Sequence, residues 1–330
     1  MRAPAFWRRN RPTWLARALQ PLGALYGAAT SRRMARPGAR LAVPVICIGN
    51  FTLGGAGKTP TALAVARLLL ARGERVAFLS RGYGGERRAA PLKVDPNRHS
   101  ARVVGDEPLL LARVAPCYVG ADRVAAGQAA LADGATVLVM DDGLQNPSLE
   151  KDLRLVVVDG EAGFGNGLAF PAGPLRAPVA AQVGFADAFV VVGGPDGAWR
   201  APGGKPGFRA HLRPDAVAAA PLVGRSAFAF AGIARPEKFF ASLEALGAHI
   251  AVRRSFPDHH PYRAHEIAAL AVEAERRGLA LVTTEKDLVR VPPARRAPIV
   301  ALPVTLAFED AKGFAALIVA AIAKRRARAS

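Results

Sequence analysis

One stretch constrains this chain more than any other: a run of core-type residues that empties into a glycine-rich turn and then into a helix. Val45-Ile46-Cys47-Ile48-Gly49-Asn50 leads into Thr52-Leu53-Gly54-Gly55-Ala56-Gly57-Lys58-Thr59, and an Ala/Leu-rich stretch with helical spacing follows. Glycines in such a turn let backbone N–H groups approach phosphate oxygens, and the N-terminus of the following helix adds a favourable dipole. In that arrangement Lys58 neutralises the β and γ oxygens of a nucleoside triphosphate, and Thr59 offers its hydroxyl to Mg²⁺. The loop departs from G-x-x-x-x-G-K-[ST] at its first position, where Thr52 replaces glycine. The strand before it and the helix after it outweigh that departure, so residues Thr52 to Thr59 are expected to hold the nucleotide.

The same rhythm continues on either side. Short β-branched runs alternate with Ala/Leu-rich helical stretches, the signature of an α/β fold with a largely parallel sheet. Strands are expected at Pro44–Ile48, Arg75–Ser80, Cys117–Gly120, Thr136–Met140, Leu155–Asp159 and Ala188–Val192, all continuous apolar runs suited to a sheet covered on both faces. Helices are expected at Gly57–Ala71, Gly105–Val114 and Arg123–Ala132. A Gly/Pro-rich passage from 193 to 207 and a looser one from 213 to 221 break the pattern. The fold class read from this is a P-loop NTPase-type, mostly parallel sheet with flanking helices, plus a smaller C-terminal α/β domain. The divisions are 1–40, an N-terminal membrane-associating helix; 41–220, the P-loop core; and 221–330, a smaller domain ending in a helix over Ala311–Lys324 whose docking site is not readable.

Charge is distributed unevenly. The formal net charge is +19, and no Asp or Glu occurs before Glu74, a stretch holding twelve basic residues. Such a segment suits an anionic surface. Between its arginines, Trp14 to Ala29 places Trp14, Leu15, Ala18, Leu19, Leu22, Leu25 and Tyr26 largely on one helical face. The stretch is too short and interrupted to span a bilayer. Two readings stay open: a helix lying in a membrane interface, or an amphipathic helix packed on the domain. No aromatic stacking platform accompanies the basic residues, which argues against nucleic acid as a partner. Cys47 and Cys117 lie far apart inside apolar runs and read as buried thiols.

A second acidic element belongs with the loop. Thr136-Val137-Leu138-Val139-Met140 ends in Asp141-Asp142-Gly143, carboxylates at the C-terminal end of a strand, where open α/β sheets place their ligands. Asp141 or Asp142, with Thr59, is expected to hold Mg²⁺.

Seven segments in order then bring a family into view: Gly49-Asn50 with Thr52 to Pro60, Ser80-Arg81-Gly82-Tyr83-Gly84, Val104-Gly105-Asp106-Glu107-Pro108, Asp141-Asp142-Gly143-Leu144-Gln145, Pro171-Ala172-Gly173-Pro174-Leu175-Arg176, Phe256-Pro257-Asp258-His259-His260 and Thr284-Glu285-Lys286-Asp287. From about residue 10 to 325 the chain resembles the tetraacyldisaccharide 4'-kinases, the lipid A 4'-kinases of Gram-negative bacteria. The resemblance implies transfer of the γ-phosphate of ATP to the 4'-hydroxyl of an acylated glucosamine disaccharide 1-phosphate, giving lipid IVA. It also implies peripheral attachment to the cytoplasmic face of the inner membrane, a task that fits the basic, apolar N-terminus; no obligate protein partner is evident.

By the same resemblance Asp106 is the base that takes the hydroxyl proton, His259 pairs with it, and Lys58 with Mg²⁺ stabilises charge on the transferring group. Read from the residues alone, Asp106 before Glu107 and Pro108 fits a helix cap equally well. His259 lies in the smaller domain and has to swing in to meet Asp106. The adjacent pair His259-His260 lacks the companions a zinc site needs. Arg81, Arg123 and Arg176 are candidate phosphate contacts, and Arg176, Gln145 and Asn146 are expected to face substrate. Asn146 stands where the family usually has His, and Ala177 where it usually has Glu. The rival is a membrane-associated ATPase acting as a nucleotide switch, but such proteins usually carry a lysine where this loop has Leu53.

Overall fold

The computed structural model describes residues 4–9, 11–86, 90–195, 197 and 199–328. Its strands are β1 (Val45–Gly49), β2 (Val76–Ser80), β3 (Leu92–Lys93), β4 (Cys117–Val119), β5 (Val137–Asp141), β6 (Leu153–Asp159), β7 (Ala188–Val192), β8 (Gly207–Pro214), β9 (Ser226–Ala231), β10 (His249–Ser255), β11 (Ala280–Thr284), β12 (Ile299–Leu302) and β13 (Val304–Phe308). Nine of them form one sheet in the order β13-β8-β7-β6-β1-β5-β2-β4-β3. Every pairing in it is parallel except the two at its edges, β13 with β8 and β3 with β4. β1, β2, β5 and β7 are buried along their whole length, as the apolar runs required.

The second sheet, β10-β9-β11-β12, is parallel throughout. The chain leaves the first sheet after β8 and comes back after Pro303, where β13 pairs antiparallel with β8 from Pro214 to Ala210. A two-stranded ribbon thus joins the two units. β8 falls between the two passages that look like loop in the sequence, because a strand largely open to solvent, paired between β7 and the edge strand β13, carries little apolar signal. The final helix, Ala311–Ala327, buries Phe314, Ile318 and Ile322 in the core beneath the large sheet, so residues 304–327 pack with the first unit.

The N-terminal segment forms helices Trp14–Ala18 and Gln20–Met34. Its packed face is made of small residues. A Cβ on Gly23 would lie 2.8 Å from Ala169 O and one on Gly27 2.8 Å from Pro178 Cδ, so the helix backbone sits directly on the 169–178 loop. Of the apolar side chains singled out in the sequence, Tyr26 packs on Phe170, while three face the other way: Trp14 is 80% exposed, Leu25 71% and Leu22 56%. No helix among the described residues is long and apolar enough to cross a membrane.

Candidate active site

The phosphate loop runs from the buried end of β1 to the helix Lys58–Leu70. Gly54 and Gly57 adopt φ of 106° and 95°, values open to glycine and costly for other residues. The loop is braced from inside its own unit. Asn50 Nδ2 donates to Gly54 O (3.1 Å), Leu53 N donates to Pro174 O (2.7 Å), and Arg176 N donates to Phe51 O (2.8 Å). Lys58 Nζ donates to Gly54 O (3.1 Å) and lies 3.8 Å from Asp142 Oδ1.

Asp141 ends β5 beside β1, and Asp142 follows in a left-handed conformation, φ 50°, that a non-glycine residue adopts only when its surroundings hold it there. Arg176 Nη2 donates to Asp142 Oδ2 at 3.0 Å. Burial pushes both carboxyls up. At Asp142 the Lys58 and Arg176 charges outweigh burial and hold it below the usual carboxylate range, whereas at Asp141 the nearby Glu107 and Asp142 charges add to burial and keep it high. Asp141 Oδ1 and Asp142 Oδ1 are buried without a hydrogen-bond partner, which is the donor set a hard divalent cation beside phosphates would use. No cluster of three His, Cys, Asp or Glu suited to a metal occurs among the described residues, so a cation here would take its remaining ligands from Thr59, nucleotide and water.

Gln145 and Asn146 are spent on structure. Gln145 is buried, donating to Asn50 O (2.8 Å) and Gln182 Oε1 (3.0 Å) and accepting from Arg176 Nη1 (3.2 Å). Asn146 Oδ1 accepts from Ser148 N (2.8 Å), closing its own turn. Both amides thus brace the turn that follows Asp142, beside the site where they were expected to face substrate. Arg176 also donates to Thr52 O (3.2 Å), fastening the loop's first residue to the acidic turn. Ala177 is buried, and its carbonyl accepts from Gln182 Nε2 (2.7 Å). The sequence offered no sign of Gln182, an interior amide in a short helix.

Asp106 begins the helix Asp106–Leu111 and is 4% exposed. Its Oδ1 accepts from Glu107 N (3.0 Å), one of the first amides of that helix. Oδ2 faces the second unit, where His259 Nδ1 stands at 2.9 Å, Arg290 Nε at 3.5 Å and Lys286 Nζ at 3.9 Å. The two units are therefore already closed on one another in this structure. Burial works to raise the Asp106 carboxyl, but the His259 hydrogen bond and the Lys286, His259 and Arg290 charges prevail and hold it at about 2. Lys286 also approaches Glu107 Oε1 (3.5 Å), and the Glu107 and Asp106 charges overcome its burial and raise it. Lys286 and Arg290 are the functional candidates sequence reasoning missed; only Lys286's place in Thr284-Glu285-Lys286-Asp287 hinted at one. The helix Lys58–Leu70 packs against the helix Asp106–Leu111, which makes the phosphate-loop and Asp106 clusters neighbours, and after burial the Glu107 charge is what raises the Asp141 carboxyl most.

Beside Asp106 runs a groove of about 460 Å³ lined by Arg81, Gly82, Tyr83, Gly84, Val104 and Gly120. The Tyr83 ring stands 6.0 Å from that of His259. Arg123 is buried at the groove's floor, donating to Gly120 O, and burial followed by the Arg81 charge lowers its guanidinium to about 10.

Comparison with known proteins agrees with this layout. A family model described as LpxK, tetraacyldisaccharide-1-P 4'-kinase, matches residues 15–323. Relatives named tetraacyldisaccharide 4'-kinase include one from Methylobacterium sp. (strain 4-46), 59% identical over 94% of this chain and 95% of its own length. Another, from Rhodopseudomonas palustris (strain BisA53), is 50% identical over 99% of this chain and 98% of its own. The solved structure of LpxK from Aquifex aeolicus in complex with ATP superimposes with a TM-score of 0.75 at 27% identity, covering 93% of this chain and 99% of that one. These matches favour a kinase over a nucleotide switch. The chain belongs to the tetraacyldisaccharide-1-P 4'-kinase family and is an ATP-dependent kinase of lipid A biosynthesis.

Proposed function

We propose that the neighbouring clusters divide one phosphoryl transfer between them, Thr52 to Thr59 holding ATP and Asp106 with His259 activating the 4'-hydroxyl of the tetraacyldisaccharide 1-phosphate. The observation that carries this reading is the 2.9 Å contact between His259 Nδ1 and Asp106 Oδ2 at the mouth of the groove. Asp106 takes the hydroxyl proton as the sugar oxygen bonds to the γ-phosphorus; the bond from that phosphorus to the β–γ bridging oxygen breaks, and ADP leaves. A carboxylate held ionised by the His259 hydrogen bond and the Lys286 and Arg290 charges is a weak base in isolation. It works here because proton loss follows the forming P–O bond, and His259 stabilises the pair as the proton arrives. Lys58 offsets charge on the transferring group. Thr59, Asp141 and Asp142 would hold Mg²⁺, which when bound draws charge from the β and γ oxygens.

The exposed Trp14, Leu22 and Leu25, flanked by Arg8, Arg9, Arg17, Arg32 and Arg33, support a peripheral seat on the cytoplasmic face of the inner membrane. Acyl chains can stay in lipid while the disaccharide enters the groove beside Arg81 and Tyr83. The test is transfer of label from γ-labelled ATP to the disaccharide 1-phosphate in detergent micelles. Labelled lipid is the expected product; ATP hydrolysis without labelled lipid would contradict the reading.

A further inference from the structure

The second unit presents His259 on a turn that the backbone alone disfavours: φ at His259 is 59°, in the left-handed region where a residue with a Cβ is strained. Something must hold that turn, and the contacts identify it. His259 N donates to Gly232 O (3.1 Å), just past the end of β9. Arg290 Nη2 donates to the same Gly232 O (2.9 Å), and Arg290 Nη1 donates to His260 O (3.3 Å), so one guanidinium grips the chain on both sides of His259. Nε donates to Lys286 O (3.0 Å) and comes within 3.5 Å of Asp106 Oδ2.

The guanidinium is itself locked. The Arg290 side chain is 4% exposed and pairs through Nη2 with Asp287 Oδ1 at 2.9 Å. Asp287, fully buried, also accepts from Gly232 N (2.8 Å) and the Tyr262 hydroxyl (2.7 Å) on Oδ1, while Thr284 Oγ1 donates to Oδ2 (2.6 Å). A buried carboxylate so fully satisfied fixes its partner's position, and the planar fork of an arginine can bridge two carbonyls where a lysine cannot. Around Asp106 the charged groups are His259, Lys286, Arg290 and the adjacent Glu107; around Arg290 they are Asp106, Asp287 and Lys286.

We infer that Arg290, anchored by Asp287, is a positioning residue for the kinase reaction: it clamps the Gly232 and His260 carbonyls so that His259 stays in its left-handed conformation against Asp106. The inference rests on the reading of Asp106 and His259 as the proton-accepting pair. A network that merely held the fold would lower activity and stability together, whether or not His259 were present. A clamp that acts through His259 does not.

The experiment measures label transfer by the full chain in micelles for wild type, Arg290→Gln, His259→Ala and the double variant. Arg290→Gln is expected to lower kcat about 10- to 100-fold, the scale on which a misplaced catalytic group costs. KM for ATP should stay within about twofold, because the phosphate loop is untouched. In the His259→Ala background the same substitution should cost under about threefold, since the group it positions is gone. Arg290→Lys, keeping charge beside Asp106 but not the two-carbonyl bridge, should lose kcat about as far as Arg290→Gln, and recovery to near the wild-type rate would overturn the clamp in favour of a charge effect on Asp106. If Arg290→Gln unfolds because Asp287 is left as an unpaired buried charge, Asp287→Asn/Arg290→Gln removes that charge and is expected to show the same fall in kcat. Equal losses with and without His259, or normal kcat in the folded neutral pair, would overturn the clamp. Near-normal turnover in Asp106→Ala would overturn the base reading instead, so the two failures are distinguishable.

Discussion

Around the phosphate loop nearly every contact is made within one unit: Arg176 ties Thr52 O to Asp142, Gln145 ties Asn50 O to Gln182, and Pro174 O receives Leu53 N. Around Asp106 the contacts cross between units, joining residues 153 positions apart in the chain at the His259 pair. A second set of crossing ion pairs links Arg235 to Asp159 (2.9 Å) and Glu161 (3.1 Å), and Lys238 to Glu161 (3.1 Å). The phosphate-loop cluster is thus held by local hydrogen bonds, while the Asp106 cluster, the acceptor side on the proposed reading, is completed by residues of the second unit. Nucleotide binding and turnover should be separable by mutation.

Lys58→Ala ought to impair both binding and turnover, since Lys58 would hold the nucleotide and offset charge on the transferring group: a loss of about 10²- to 10³-fold in kcat with weaker ATP binding, read from label transfer and nucleotide titration. ATP affinity equal to wild type would break the assignment of Lys58 to the loop. Arg235→Ala/Lys238→Ala removes only the outer latch. Exposed pairs of this kind contribute about 1 kcal/mol or less each, so turnover should fall about two- to fivefold, with ATP affinity unchanged. A change in ATP affinity without a change in turnover would contradict the separation. The smallest effect in micelles belongs to Leu22→Ser/Leu25→Ser, which should leave kcat within about twofold while reducing sedimentation with anionic vesicles. Unchanged sedimentation would remove the membrane role from that face.

The two sides also differ in what the sequence discloses, for the same physical reason. Thr52 to Thr59 is legible because strand, glycines, lysine and helix are contiguous and each is there for the phosphate. The parallel sheet is legible for a similar reason: β1, β5 and β7 are unbroken apolar runs buried on both faces. Asp106 was ambiguous, since an acid at a helix start is also a cap, and its contacts are of both kinds: Oδ1 accepts from Glu107 N while Oδ2 meets His259. Lys286 and Arg290 look like surface charges in a polar helical stretch, and only the packing of β9, the 257–260 turn and the helix Glu285–Leu288 against Asp106 gives them partners. Gln145 shows what spacing leaves open: a polar residue just after the acidic turn suggests a ligand contact, and the structure adds that Arg176, Gln182 and Asn50 O are its partners within the chain. Of the two readings left open for the N-terminal helix, packing on the domain is seen, through Gly23 and Gly27, while Trp14 and Leu25 stand exposed.

The division between the two sides is tested most directly by Asp106→Ala, with bound nucleotide and label transfer to the disaccharide 1-phosphate measured in the same sample. ATP should saturate the variant at wild-type concentrations while transfer falls by about 10²- to 10⁴-fold, the contribution of a positioned base. Transfer near the wild-type rate, or loss of nucleotide binding in step with loss of transfer, would contradict it.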